Sequence, residues 1–121
     1  ELTGRLMIVP ASDADFLAYY GKPPPEIWLG MAAKDGERIV GIGLIVWNEN
    51  GCAMGFISRK GPVSPFALHR AAKYVLGVLK CVGEPAVYVT CDHEIAKADY
   101  WLKRLNFKPM DDNPEVWQVT L

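Results

Sequence analysis

Apolar and polar residues follow a period along the chain that changes from that of a strand to that of a helix and back. The first apolar run, Leu6 to Val9, predicts a short strand. Ser12 and Asp15 then have the spacing of a capping box, which predicts a helix that extends to Tyr20. Three successive prolines, 23–25, end this part because proline has no backbone donor to continue a helix.

The segment from Ile27 to Arg59 predicts three antiparallel strands joined by tight turns. Asp35-Gly36 and Asn50-Gly51 separate its apolar runs, and both dipeptides supply the positive φ that hairpin turns require. The glycines inside the runs, Gly41, Gly43 and Gly55, predict bulges or a close approach of another backbone or a ligand. The three runs are 27–33, 38–47 and 52–59.

The second half of the chain predicts two helices and three further strands. Ser64 and Pro65 begin a helix that ends near Gly83, since apolar positions recur at helical spacing between them. A short β-rich run, 86–91, predicts a buried strand parallel to the strand before the helix. The last helix ends at Asn106, a residue suited to a left-handed cap. Two closing strands follow, at 107–110 and 115–121.

Composition fits one ordinary globular domain that spans residues 1–121. Half of the 121 residues are hydrophobic, 22% are charged, and 13 basic and 14 acidic side chains leave a net charge of −1. This balance gives no field that favours nucleic acid or an anionic membrane surface, so we expect neither as a partner. The apolar runs are also shorter than the roughly 20 residues that a bilayer span requires.

The cysteines and histidines do not indicate a disulfide scaffold or a metal site. The three cysteines, at positions 52, 81 and 91, form no Cys-x-x-Cys pair, which favours a reducing, cytoplasmic compartment. The two histidines, at 69 and 93, form no familiar zinc pattern, so we expect no metal. Free cysteine packs as a small hydrophobe, and Cys91 is therefore expected to be buried.

The order of elements and the last helix together resemble the GNAT (N-acetyltransferase) superfamily. Residues 98–107 read Ala-Asp-Tyr-Trp-Leu-Lys-Arg-Leu-Asn-Phe, which is similar to the family's last helix and its Leu-Gly-Phe ending, with Asn106 in place of the glycine. The likeness extends from about Ile27 to the end of the chain. It implies an α/β (α+β) fold with three helices, a mixed and mainly antiparallel sheet of six to seven strands, and a splay between the fourth and fifth strands.

The resemblance implies an acyl-CoA-dependent N-acyltransferase that transfers an acetyl group from acetyl-CoA directly to an amine acceptor. The pantetheine arm would lie in the splay, between residues 56–58 and 90–92. The pyrophosphate would lie at the start of the following helix, because backbone N–H groups at helix N-termini bind anions. Nine residues are thereby assigned to the cofactor: Phe56, Ile57, Ser58, Arg59, Lys60, Gly61, Val63, Ser64 and Phe66.

The phosphate loop departs from the family's pattern at its two glycines. Aligned from the helix, Lys60 takes the position of the cation, whereas Val63 and Pro65 replace the glycines. A valine side chain is expected to crowd an approach that glycine leaves open, and proline removes one N–H. The alternative function is a catalytically inactive GNAT-like module that has lost CoA binding and binds a protein partner.

Proton transfer needs a base for the amine and an acid for the departing thiolate. Asp92, at the end of the fifth strand, is the candidate base, and the competing role for it is the N-cap of the last helix. The family often places a tyrosine acid where this chain has Leu102; Tyr100 is the neighbouring candidate, although it lies about 200° around the helix. The short segment before Ile27 implies a large acceptor, such as a protein side chain, or completion of the site by a second copy in a homodimer.

Overall fold

The strands and helices that the sequence pattern predicts are present, in the predicted order. The computed structural model describes residues 6–91 and 97–121. Its elements are β1 (Leu6–Pro10), α1 (Asp13–Tyr20), β2 (Trp28–Asp35), β3 (Arg38–Trp47), β4 (Ala53–Arg59), α2 (Pro65–Cys81), β5 (Ala86–Thr90), α3 (Ala98–Arg104), β6 (Lys108–Pro109) and β7 (Val116–Thr120).

The seven strands form one mixed sheet in the order β1-β2-β3-β4-β5-β7-β6. All neighbouring pairs are antiparallel except β4 and β5, which are parallel and are connected through α2. Gly36 and Gly51 form the two hairpin turns with φ angles of 65° and 79°, as the dipeptides predicted. The fold class expected from the sequence is confirmed.

The bulge in the meander lies beside Val40 rather than at a glycine. The register between β2 and β3 shifts between Ala33 and Lys34, opposite this valine. The glycine in β4 has a different role, because a Cβ on Gly55 would lie 2.9 Å from Cγ1 of Val89. The space beside Gly55 is therefore filled by a side chain of β5, and not by another backbone as the sequence predicted.

Helices cover both faces of the sheet. On one face, Phe16 and Tyr19 of α1 pack against Ile42 and Leu44 of β3. On the opposite face, α2 and α3 pack over the centre of the sheet, and Cys91 is buried there as expected. The residues buried in this second cluster are Ile45, Ala53, Val75, Leu79, Val87, Cys91, Phe107, Trp117 and Val119.

The predicted capping box begins α1. Ser12 Oγ accepts the N–H of Asp15 at 3.1 Å, and Asp15 Oδ2 accepts the N–H of Ser12 at 2.9 Å. Asp15 also pairs with Lys34 Nζ of β2 at 2.9 Å, a long-range contact that the local pattern does not predict. One carboxylate therefore caps the helix and fastens it to the sheet.

These contacts make the stability of the fold depend on the ionisation of Asp15. The Ser12 N–H, followed by Lys34, lowers the pKa of the Asp15 carboxyl below its ordinary value of 3.8. A group with a lowered folded-state pKa contributes stability above its unfolded pKa, and this contribution is lost as the pH falls through the folded pKa.

We expect Asp15→Asn to lower the free energy of unfolding at pH 7, with the difference from wild type shrinking below pH 3.8. Urea unfolding at pH 7 and pH 3 measures this; an equal difference at both values contradicts it.

Candidate functional site

A splay opens between β4 and β5, where the sequence predicted one. The parallel pairing of the two strands ends at Gly55 opposite Val89. Strand β4 nevertheless continues, and it stays paired with β3 as far as Arg59 opposite Gly41. From Phe56 onward, β4 thus has a sheet partner on one side and no paired strand on the other within the described residues.

The backbone of β4 presents hydrogen-bonding groups to this splay. The N–H of Lys60 donates to Val40 O at 2.8 Å, and Ser58 O also lies on the β3 side, 3.3 Å from where a Cβ on Gly41 would be. Backbone groups alternate in direction along a strand, so those of Ile57 and Arg59 face the splay. An extended ligand can therefore pair with this edge.

The side chains of β4 alternate between the two faces beside the splay. Phe56 and Ser58 are opposite Leu44 and Ile42 and thus share the face that α1 covers, whereas Ile57 lies on the α2 face. Phe56 and Ile57 are both about half exposed, although strand residues of this type are usually covered. The splay is therefore lined by accessible apolar side chains on both faces of the sheet.

The N-terminus of α2 carries backbone donors that have no partner within the helix. The first helical hydrogen bond runs from the N–H of Leu68 to Ser64 O at 3.0 Å, so the N–H groups of Phe66 and Ala67 precede it and have no partner in the helix. Ser64 is at the predicted N-cap, with Pro65 at the first helical position, but its hydroxyl forms no capping bond. Two N–H groups without a helical partner thus lie at the positive end of the helix dipole, which attracts negative groups.

The Val63 side chain does not crowd the phosphate loop, contrary to the expectation from the missing glycine. Val63 is 5% exposed and packs into a cluster with Ala33 and Val40, beneath the loop. Burying this apolar side chain is favourable, and it turns the Cβ away from the solvent side of the loop. The replacement of glycine by valine thus leaves the approach open.

The Lys60 side chain contacts the C-terminal end of α1. Its ammonium donates to the carbonyl oxygen of Tyr19 and lies 4.0 Å from the centroid of the Tyr19 ring. Helix α1 has no basic residue in its own last turn, and Lys60 supplies the positive charge that suits a helix C-terminus. The N–H groups of Lys60 and Gly61 are also occupied, since both donate to Val40 O.

Other basic side chains flank the phosphate loop. Arg38 Nη2 of β3 lies 3.8 Å from where a Cβ on Gly61 would be. Arg70 and Ser64 line one groove between β1, β2 and α2, and Arg59 is exposed at the end of β4. Sequence reasoning did not select Arg38, because only the register of the hairpin brings the start of β3 to this loop.

Of the two candidates for proton transfer, Tyr100 alone lies within the described residues. Asp92 lies outside the described residues. Tyr100 is about half exposed on α3, with the Arg104 guanidinium 5.9 Å from its ring centroid, while Leu102 packs against the core. Residues two apart on a helix point in nearly opposite directions, so Tyr100 faces away from the core side of α3. The expectation that Tyr100 serves the splay as an acid is not supported by this position.

A pair of hydroxyl groups lies beside the splay instead. Tyr19 Oη of α1 and Ser58 Oγ of β4 are 3.0 Å apart. The neighbouring Tyr20 makes ring contacts with Tyr19 and Phe16, and burial, followed by the nearby Tyr19, raises the pKa of Tyr20 above 10.0. No local motif predicts the Tyr19–Ser58 contact, because α1 and β4 are distant in sequence.

Residues 6–91 and 97–121 contain neither a metal-binding cluster nor a membrane-spanning helix. No cluster of three or more His, Cys, Asp and Glu side chains in these ranges could hold a metal ion. Among the helices described, none has the length and apolar content needed to cross a membrane.

No protein-family model and no curated protein matches the chain, but solved structures match its fold. The Escherichia coli ribosomal-protein-S18-alanine N-acetyltransferase matches with a TM-score of 0.70 and 14% identity, over 96% of this chain and 94% of that chain. The Campylobacter jejuni N-acetyltransferase PseH, in complex with acetyl coenzyme A, matches with a TM-score of 0.53 and 16% identity, over 89% and 75% of the two chains.

A KacTA–DNA complex also matches, with a TM-score of 0.61 and 18% identity, over 96% of this chain and 93% of that chain. A protein of similar fold is therefore found with DNA, so the fold does not support the expectation that nucleic acid is not a partner. The full-length matches and the splayed sheet lead to one structural conclusion. This chain has the GNAT fold, which the matched N-acetyltransferases share.

Proposed function

We propose that this chain is a single-domain, acyl-CoA-dependent N-acyltransferase that transfers an acetyl group from acetyl-CoA directly to a primary amine. The splay is the observation that supports this most. Beyond Gly55, β4 presents the backbone groups of Ile57 and Arg59 to the side where β5 no longer pairs with it. The amide groups of a pantetheine arm can pair with such an edge as a short added strand.

The loop before α2 supports binding of the pyrophosphate at the mouth of the splay. The N–H groups of Phe66 and Ala67 are free of helical partners, and a helix N-terminus favours a negative charge. Arg38, Arg59 and Arg70 add positive charge around the loop. These arginines therefore contact the phosphates, whereas Lys60 remains in contact with Tyr19 of α1.

The chemistry follows from alignment of the two reactants. An amine that approaches from the α1 face would meet the thioester beside Phe56 and Ile57, and the N–H of Ile57 would polarise its carbonyl. Asp92 keeps its proposed role as the base, which removes the first proton of a protonated amine before the attack. For the acceptor we propose an amine of a peptide or protein, because α1 is the single helix before β2 among the described residues.

A second candidate function is a non-catalytic module that binds a protein partner. The exposed apolar side chains of Phe56, Ile57 and Phe66 favour it, because such groups are typical of interaction surfaces. Proline at positions 62 and 65 also removes two donors from the loop. Titration with acetyl-CoA distinguishes the two functions, since only the acyltransferase requires the cofactor.

Isothermal titration of acetyl-CoA is expected to show a weaker complex for Arg38→Ala and nearly unchanged affinity for Lys60→Ala. Loss of one charge-assisted contact to phosphate should weaken binding by about 3- to 10-fold, on the order of 1 kcal/mol. Lys60→Ala should instead lower the free energy of unfolding by about 0.3–1 kcal/mol, since it removes the cation at the end of α1.

Lys80→Ala, at the opposite end of α2, is the matched control for loss of a positive charge. It should leave the affinity unchanged. No heat of binding with wild type at millimolar acetyl-CoA contradicts the proposed function and favours the protein-binding module. A larger loss of affinity for Lys60→Ala than for Arg38→Ala contradicts the assignment of the phosphate contacts.

A further inference from the structure

Two hydroxyl groups from distant parts of the chain meet at the edge of the splay, and they differ in access to solvent. Tyr19 in α1 is 4% exposed, whereas Ser58 in β4 is only partly buried. Their oxygen atoms are 3.0 Å apart, so they form one hydrogen bond. One hydroxyl is thus enclosed by the protein while the other can reach a bound molecule.

The burial of Tyr19 favours one of the two hydroxyls as the donor. Two hydroxyls carry two protons, and one hydrogen bond between them uses only one. If Ser58 donated, the proton of Tyr19 would be buried without an acceptor among the described residues, which is costly. The geometry allows either oxygen to donate, and burial favours Tyr19 as the donor. With Tyr19 as the donor, Ser58 keeps its own proton and one further acceptor site for a ligand.

Neighbouring residues hold the Tyr19 and Ser58 hydroxyls beside the part of β4 where acyl transfer would occur. Ser58 follows Ile57, whose backbone faces the splay. The Ser58 side chain lies on the α1 face, together with that of Phe56. Lys60 holds the carbonyl oxygen of Tyr19 and lies over its ring. The tyrosine is thus held from both its main chain and its ring, and its donated bond orients and polarises the Ser58 hydroxyl.

We infer that Ser58 is a proton shuttle in the acyl transfer and that Tyr19 is its positioning residue; the inference rests on the proposed function. The amine nitrogen attacks the thioester carbonyl carbon, the N–C bond forms, and the C–S bond breaks with its electron pair on sulfur. As a proton of the attacking nitrogen passes to Ser58 Oγ, the original Ser58 proton passes to the departing sulfur. The products are the amide and the free thiol of CoA, and both hydroxyls end neutral.

Four variants test this assignment: Ser58→Ala, Ser58→Thr, Tyr19→Phe and Tyr20→Phe. Tyr20→Phe is the matched control, because Tyr20 is adjacent to Tyr19 and its hydroxyl makes no hydrogen bond among the described residues. The probes are acetyl-CoA and a peptide that begins with alanine and contains one lysine, which offers both kinds of primary amine. Calorimetry gives the Kd for acetyl-CoA, and release of CoA thiol gives kcat and KM.

Ser58→Ala is expected to lower kcat by roughly tenfold or more, since it removes the shuttle, and to change the Kd for acetyl-CoA by less than about twofold. Ser58→Thr should keep most of the activity because it retains the hydroxyl. Tyr19→Phe should lower kcat by a smaller factor, and Tyr20→Phe should match wild type. Even if Tyr19→Phe does not fold, comparing kcat for Ser58→Thr and Ser58→Ala shows whether the hydroxyl at position 58 is required.

Each other outcome overturns the inference at a distinguishable step. If wild type does not bind acetyl-CoA, the proposed function fails and the shuttle fails with it. If wild type binds acetyl-CoA but acetylates neither amine of the peptide, the shuttle is wrong while cofactor binding stands. If Ser58→Ala keeps the wild-type kcat, or loses kcat and acetyl-CoA affinity in parallel, Ser58 does not transfer protons.

Discussion

Leu79→Ala is expected to lower the free energy of unfolding by about 2–5 kcal/mol. Leu79 is 1% exposed and lies in the cluster that joins α2 to the centre of the sheet. Its truncation removes buried apolar surface and leaves a cavity that the surrounding strands cannot fill. Because α2 also carries the N–H groups assigned to phosphate, its docking matters to the site as well as to the fold. Urea unfolding measures the loss.

The matched control for this core substitution is Val82→Ala, three residues later at the end of the same helix. Val82 is 72% exposed, so its truncation should change the free energy of unfolding by no more than about 0.5 kcal/mol. Comparable losses for the two variants would show that α2 does not pack on the sheet through the face that contains Leu79.

Ile57→Pro is expected to abolish most acetyl-CoA binding while the protein stays folded. The N–H of Ile57 faces the splay and not β3, so proline should remove no bond of the β3–β4 ladder. Phe56 is extended, as a residue before proline must be. The ring would nevertheless replace the donor with carbon atoms directed at the ligand, which combines a lost hydrogen bond with a steric overlap. We expect a cost of about 2–4 kcal/mol, roughly 30- to 1,000-fold in Kd.

Ile57→Ala is the control for the proline substitution, because it keeps the N–H and removes only a half-exposed side chain. It should weaken acetyl-CoA by much less than the proline variant. Circular dichroism and urea unfolding check that both variants fold. Equal affinities of Ile57→Pro and wild type would show that the open edge of β4 does not bind the cofactor.

Local sequence patterns predict most of this fold because its turns and caps depend on neighbouring residues. The capping box of Ser12 and Asp15 forms as its spacing requires, and Asn106 adopts a left-handed conformation with a φ of 69°. The splay is also where the resemblance placed it, after Gly55. These features rest on short-range chemistry or on the order of elements, and both can be read without knowing the tertiary contacts.

The candidate site is less predictable because its decisive contacts join residues far apart in the chain. Sequence spacing predicted that Lys60 contacts the phosphate, whereas in the folded chain its ammonium contacts Tyr19. The Val63 side chain was expected to crowd the loop, but a cluster beneath the loop buries it. Arg38 reaches the same loop only through the hairpin register. In each case the packing of distant elements decides where a side chain of suitable chemistry is directed.

Titration of acetyl-CoA into isotopically labelled protein, followed through the backbone amide resonances, tests the central claim most directly. The amides of Ile57, Arg59, Phe66 and Ala67 are expected to shift together and to saturate with one Kd, because they line the splay and the start of α2. The amides of Lys60 and Gly61 should shift less, since both already donate to Val40. The absence of any shift at millimolar acetyl-CoA, or shifts confined to residues away from the splay and α2, would contradict cofactor binding in this cleft.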